Sequence, residues 1–358
     1  MLRVFVISLV VAFTATHLAA ADNPPAIRIG ISSIGVGGRP FIGGNVIGLV
    51  HAQGLLEQEF APDGIKVEWT FNKGAGPAVT EELVNGLIDL ATQGDLPLVV
   101  HRSSQVKTKL LIATLNSSHT YLAVKPESAF QSLNDLVGHR MALFKGTAGQ
   151  LLTARLLALK GLKEQDFLTI TLDVSASLPA LLSGDVDCMW GGTNLLELED
   201  AGKVRIVFST REMPPVPKRP CSTGAIFADA GFEQRYPTII QRFVNVYVRT
   251  AAWASDPAHV DEVIALWSKS GTSEAVYRRD IGGESLAPRL SPLFDEGFLV
   301  NLHAGAQAAL DARLIRAPVD FDGWIEPRYL EHALAEFGLT DRWHSRAVNQ
   351  QPTATSHP

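Results

Sequence analysis

A chain of 358 residues, 46% hydrophobic and 19% charged, carries enough apolar material for packed cores, and its length suits about two compact units. That composition excludes disordered, collagen-like and coiled-coil chains. A formal net charge of −6 argues against a nucleic-acid protein, and two cysteines suffice neither for a disulfide framework nor for a cysteine-based zinc site.

Met1-Leu2-Arg3, the apolar run Val4 to Leu18 and the small residues Ala19-Ala20-Ala21 make the three parts of a secretory signal peptide, with cleavage expected after Ala21. The apolar run is shorter than the roughly 20 residues a membrane-spanning helix needs, so a protein soluble outside the cytoplasm is expected. No cysteine lies near the cut, which argues against a lipid anchor.

Ile27-Arg28-Ile29-Gly30-Ile31 alternates as a strand and runs into the glycine-rich loop Gly35 to Gly44. Helical spacing follows at Val46, Ile47, Leu49, Val50 and Leu56, then an alternating strand at Ile65 to Trp69. A helix holding Val79, Leu83 and Val84 comes next, with Pro77 in its first turn, and Asn85 to Ala91 reads as a turn and buried strand ending at Gln93-Gly94-Asp95.

The same order recurs about a hundred residues later: a strand at Arg140 to Phe144, a small-residue turn at Lys145 to Gly149, a helix from Gln150 to Lys160, a strand at Thr169 to Leu172, a helix over Leu178 to Leu182, and a closing strand from Ser183 to Trp190. Asn85-Gly86-x-Ile88-Asp89 matches Ser183-Gly184-x-Val186-Asp187, and each is followed by a glycine and a polar helix start, Gly94-Asp95 and Gly192-Thr193-Asn194. Strands alternating with helices imply parallel βαβ units, and two copies imply two similar α/β lobes. His119 to Val124 is expected to pass from the first lobe to the second, and Ser222 to Ala228 to return. From Phe232 onward the pattern is helical, near 236–254, 258–269, 292–312 and 326–337, before a polar tail from His344.

Ligands of parallel sheets collect at the carboxyl ends of strands, here Gly43-Gly44-Asn45, Gly94-Asp95, Gly146-Thr147-Ala148 and Gly192-Thr193-Asn194. Helix starts offer unpaired N–H groups and partial positive charge, so several converging starts suit a small anion. Taken singly, each polar residue there is equally suited to capping its own helix. Arg39 is placed either to pair with an anionic head group or to stand in solvent, and Trp190 either to stack over an organic tail or to fill the interior. Asp95 would repel an anion, and so either caps its helix or accepts from a ligand amine.

Enzyme signatures are sparse. Gly30 to Gly35 is no nucleophile elbow, the glycine runs lack the last glycine of a dinucleotide fingerprint, no P-loop exists, and the ten histidines show no metal spacing. His51 and His101 fall on predicted helices and read as structural or solvated. Cys188 and Cys221 are either a disulfide in an oxidising compartment or two free thiols.

His51-Ala52-Gln53-Gly54-Leu55-Leu56-Glu57, Asn85 to Asp89 with Gly94-Asp95-Leu96-Pro97, Lys145-Gly146-Thr147-Ala148, Ser183 to Asp187, and Val319-Asp320-Phe321-Asp322-Gly323-Trp324 together resemble the nitrate/sulfonate/taurine family of ABC-transporter substrate-binding proteins. The resemblance implies an α/β, two-lobed periplasmic-binding-protein type II fold: 1–21 signal peptide, 26–118 plus 229–343 first lobe with the C-terminal helices, 119–228 second lobe, 344–358 disordered tail. It implies a periplasmic monomer that closes on a small anion (a sulfonate, taurine or nitrate) and delivers it to membrane permease subunits. Neither cofactor, metal nor nucleic acid is expected. By position, the pocket would use Arg39, Gly43, Gly44, Asn45, Gly94, Asp95, Gly146, Thr147, Ala148, Trp190, Thr193 and Asn194. The chain departs from the pattern at Trp190-Gly191-Gly192, where many relatives have Trp-Asp-Pro, which leaves the ligand class open. The alternative is an enzyme on the same fold. Desulfinases resemble this family but use a cysteine in the first loop, where this chain has none, and the cysteine cluster of thiamin-precursor enzymes is absent too.

Overall fold

Ile27, Ile29 and Ile31 alternate with Arg28 and Gly30, and this period of two builds β1 (Ala26–Ile31) with all three isoleucines in the core. The computed structural model describes residues 23–114, 118–214 and 219–343, so the expected signal peptide and C-terminal tail lie outside the described residues. After β1 come α1 (Val46–Ala52), α2 (Leu55–Phe60), β2 (Lys66–Phe71), α3 (Ala75–Val84), β3 (Leu90–Gly94), α4 (Asp95–Ser103) and β4 (Thr108–Thr114). The second run holds β5 (Tyr121–Val124), β6 (Arg140–Ala142), α5 (Ala148–Ala158), β7 (Leu168–Ile170), α6 (Val174–Ser183), β8 (Cys188–Gly191), α7 (Thr193–Asp200) and β9 (Arg205–Ser209). β10 (Gly224–Asp229) leads into α8 (Ala230–Arg235), α9 (Pro237–Ala254), α10 (Val260–Ser268), α11 (Glu274–Ile281), α12 (Ala287–Leu290), α13 (Glu296–Asp311) and α14 (Arg328–Glu336).

The described residues form two five-stranded sheets, ordered β2-β1-β3-β10-β4 and β7-β6-β8-β5-β9. In the first, β1 runs parallel to β2 and β3, while β10 lies antiparallel between β3 and β4. In the second, β6 runs parallel to β7 and β8, while β5 lies antiparallel between β8 and β9. One plan is thus used twice. Each sheet takes its antiparallel strand from a crossing segment: β5 follows the first sheet's β4, and β10 returns after the second sheet's β9.

The repeated Gly-x-x-Asp turns have a physical purpose visible only in the fold. Asp89 accepts from the backbone N–H of Arg28 at 2.9 Å and from its Nε at 3.0 Å. Asp187 accepts from the N–H and Nε of Arg140 at 2.8 and 3.0 Å. Each carboxylate therefore ties the start of its closing strand to the lobe's leading strand, and the Arg140 hydrogen bond holds the Asp187 carboxyl below its usual range. Asp89→Asn is expected to lower stability by about 1.5 kcal/mol, because a charge-assisted bond becomes neutral. The urea midpoint measures this, and an unchanged midpoint would remove the tie from the fold's energetics.

The sequence reading did not include β4, β9 or α12, and two further features differ from it. The first helix is split into α1 and α2, because Gly54 adopts a left-handed conformation (φ 61°) that a continuous helix does not tolerate. The helix α11 carries four charged residues among its eight and lacks a clear apolar stripe, so periodicity missed it; Ser273 caps its start and Gly282 ends it.

The lobes also exchange residues. Leu151 of α5 is buried with Leu98 and Val99 of α4 and Leu302 of α13, in the first lobe's core. Val276 of α11 is buried with Leu195 and Leu196 of α7, in the second lobe's core.

Candidate functional site

The carboxyl ends of β1, β3, β6 and β8 open into the four small-residue turns singled out by sequence. The polar side chains there serve local structure. Asn45 caps α1, accepting from the Gly48 N–H at 2.9 Å, and its carbonyl accepts from the Trp267 indole at 2.9 Å. Asn194 accepts from the Gly192 N–H at 3.0 Å. Thr147 donates to the Phe144 carbonyl at 2.7 Å, and the Gly146 N–H donates to Gln150 at 2.8 Å. Arg39 is exposed. Trp190 is half-buried, edge-on to Phe208 with ring centroids 5.8 Å apart, and its indole N–H faces the Met141 sulfur at 3.2 Å.

Asp95 lies inside the protein, 1% exposed. Its carboxylate accepts from the Leu96 N–H at 2.9 Å and from the Thr223 N–H at 3.2 Å, joining α4 to the segment that leads into β10. Burial raises its pKa to about 6, against the downward pull of the Thr223 hydrogen bond and the Arg155 charge. Beside it stand polar groups that sequence reasoning missed. Gln93 is fully buried and donates to the Gly76 carbonyl at 2.7 Å, and its Oε1 has no partner among the described residues. Among the described residues the buried Thr114 and Thr223 hydroxyls likewise have no partner, and both flank Gly224, which pairs with Thr114 and Gly94. The only signal for them was a glutamine within an otherwise buried strand.

Two of the four turns meet directly. A Cβ added at Gly94 would lie 2.4 Å from that of Ala148, so the end of β3 touches the start of α5 across the lobes. Nearby, a Cβ at Gly146 would stand 3.0 Å from Pro77, and Lys73 faces Asp173 at 3.5 Å. The first loop reaches the other lobe indirectly. Gly43 packs so closely on Tyr277 of α11 that a Cβ would sit 2.0 Å from its hydroxyl, and α11 in turn rests on α7. Two concavities of about 300 and 210 Å³ lie elsewhere, one between the second lobe and α11 beside Tyr121, Arg211 and Arg279, the other on the second lobe beside Lys125, Arg140 and Asp187. Neither includes a strand-end residue named above.

What remains open to a ligand is backbone. α5 and α7 begin without any side-chain cap and without an acidic residue in the first turn. They follow β6 and β8, which are neighbours in the sheet, so both positive helix ends stand at the carboxyl edge of adjacent strands. A side chain at Gly192 would meet nothing within 4 Å, so the approach to the α7 start is clear. By contrast, Asn45 already occupies the α1 start and Asp95 the α4 start. The arrangement can hold an oxyanion through N–H groups without a resident cation.

Cys188 and Cys221 are both buried and are not joined in a disulfide. Burial, helped by the Asp187 charge, pushes the Cys188 thiol well up, away from the nucleophilic thiolate. Among the described residues no group of three or more His, Cys, Asp or Glu side chains could hold a metal ion, and no helix is long and apolar enough to cross a membrane. His101 is buried with its Nε2 2.7 Å from the Thr80 hydroxyl, and His51 lies among the rings of Phe41, Trp69 and Phe71.

The solved structure of a putative periplasmic sulfonate-binding protein of a sulfonate ABC transporter from Methylobacillus flagellatus superposes with a TM-score of 0.76 at 28% identity, covering 91% of this chain and 98% of that one. The architecture is that of the two-lobed periplasmic binding proteins. A putative aliphatic sulfonates-binding protein of Escherichia coli K12 is 28% identical over 171 residues, 48% of this chain and 50% of that protein. A 2′-hydroxybiphenyl-2-sulfinate desulfinase of Rhodococcus erythropolis is 28% identical over 169 residues, 45% of this chain and 43% of the enzyme. The chain thus matches about half the length of these two relatives or less. The family model described as NMT1/THI5 like matches residues 53–259, more than half of the chain, and the protein belongs to that family.

Proposed function

We propose that the protein is an exported binding protein of an ABC importer, which captures a small oxyanion of the sulfonate class by lobe closure and passes it to a permease. The carrying observation is the pair of uncapped, acid-free helix starts of α5 and α7 at adjacent strand ends. An oxyanion there would face several N–H donors and two helix dipoles. The start of α5 also touches the first lobe at Gly94, so a ligand seated on it favours the closed arrangement by its differential affinity. Similarity to sulfonate-binding relatives supports the same reading. Taurine and nitrate are the neighbouring ligand classes.

The second reading, a desulfinase, is favoured by the similarity to the Rhodococcus enzyme. Against it stand a first loop without cysteine and two thiols that are both buried. A thermal-shift panel of nitrate, taurine, alkyl and aryl sulfonates, bicarbonate and thiamin precursors separates the readings. At about 100 times Kd a sulfonate should add roughly 2.7 kcal/mol to stability and raise Tm by several degrees. No shift with any compound would refute the binding-protein reading, and turnover of an aryl sulfinate would establish the enzyme.

A further inference from the structure

The long C-terminal helix α9 packs its apolar face into the first lobe's core, with Leu290 of α12 and Leu330 of α14 in the same cluster. The helix α11 divides its allegiance. Tyr277 and Ile281 belong to that core, whereas the adjacent Val276 is buried in the second lobe's. Polar contacts to the second lobe are dense. Arg279 pairs with Glu199 and with Asp200, each at 2.5 Å, and donates to the Leu196 carbonyl at 3.1 Å. Arg211, just after β9, donates to the carbonyls of Arg279 and Asp280 at 3.1 and 2.6 Å, capping the end of α11. Asp280 accepts from the Tyr121 hydroxyl at 3.1 Å.

Glycines in the left-handed region flank α11 on both sides. Gly271 has φ 96° and Gly282 and Gly283 have φ 61° and 80°, conformations that other residues rarely adopt. Gly282 is required for space as well, since a Cβ would sit 1.7 Å from an Arg211 guanidinium nitrogen. At its other face α11 meets the first loop. Tyr277 fills the space that Gly43 leaves, its hydroxyl 2.9 Å from the Ser270 hydroxyl, and the Ser270 carbonyl accepts from the Val36 N–H at 2.8 Å.

We propose that α11 is a strap: tied to the second lobe by Arg279 and Val276 and to the first by Tyr277, it couples the position of the Gly43–Gly44 turn to the docking of the second lobe. Docking of the lobes and the shape of the first loop are then one event. The regulatory meaning of the strap rests on the cleft being the binding site, but its existence is tested without ligand.

Hydrogen–deuterium exchange on the full ligand-free chain reads it. Arg279→Gln removes both ion pairs to α7, and amides of 274–281 and of 40–46 should then exchange about fivefold faster together, while α9 stays protected. Gly282→Ala, which displaces Arg211, should produce the same paired response and serves if the first variant folds poorly. Lys73→Gln breaks a separate ion pair between the lobes, to Asp173, and should leave both segments unchanged. Faster exchange in 274–281 alone, or an equal response to Lys73→Gln, would overturn the strap. Loss of sulfonate binding with the paired response intact would instead count against the proposed function alone.

Discussion

Gly94→Val is expected to weaken sulfonate binding about tenfold to a hundredfold while leaving the separate lobes folded. Gly94 has φ −81° and ψ 174°, an extended conformation that valine adopts readily, so backbone strain is absent. The obstacle is space: a Cβ there would stand 2.4 Å from Ala148 on the opposing lobe. Within its own lobe the nearest atom is the Thr223 carbonyl oxygen at 3.7 Å, which is ordinary contact. The variant therefore penalises the closed form selectively. Forcing extra methyl groups into such a contact costs ~1–3 kcal/mol, and each 1.4 kcal/mol is tenfold in affinity. Calorimetry with the sulfonate giving the largest thermal shift measures the loss, and small-angle scattering should show the variant more extended than the wild type with ligand. Wild-type affinity in this variant would mean that binding does not require the lobes to meet at Gly94.

Asp95→Asn should steepen the acid loss of stability by about 1.4 kcal/mol per pH unit between roughly pH 4.5 and 5.5. The sign follows from three buried groups. Asp95 has a folded pKa of about 6 against 3.8, so it holds its proton in the native state across this window, and its contribution is present at low pH and lost as pH rises through 6. His101 and His119 have folded pKa values of about 4 against 6.5, both chiefly from burial, so their contributions are present at high pH and lost as pH falls. Between these limits His101 and His119 bind protons only when unfolded, His51, lowered by burial, adds in the same direction for both proteins, and Asp95 offsets one histidine. Removing the carboxylate removes the offset. Asp173 and Asp187 are held below 3.8, chiefly by hydrogen bonds from Ser175 and Arg140, and so act below the window. Urea unfolding at half-unit pH steps measures both slopes. Equal slopes for the variant and the wild type would mean that Asp95 is ionised in the native state.

Much of the fold was legible because its signals are local. The βαβ order, the two crossings and the strand-end glycines follow from apolar period and turn residues read within a dozen positions. The candidate site was legible only as a place. Asn45, Asp95, Thr147 and Asn194 stand at the strand ends as expected, yet their side chains are spent on caps and turns, and the free donors are backbone N–H groups of α5 and α7. Arg28 and Arg140 passed unnoticed, because their carboxylate partners lie 61 and 47 residues away.

The sequence by itself determined that two similar α/β lobes are joined by two crossings, since hydrophobic period, turn chemistry and internal repetition are properties of short segments. Tertiary structure alone decided which helix starts stay uncapped, that Gly94 meets Ala148, and that α5 and α11 each lend a residue to the opposite lobe's core. Those outcomes depend on contacts between residues far apart in the chain. In the polar helix α11 the buried residues answer to two cores at once, which no single apolar stripe records.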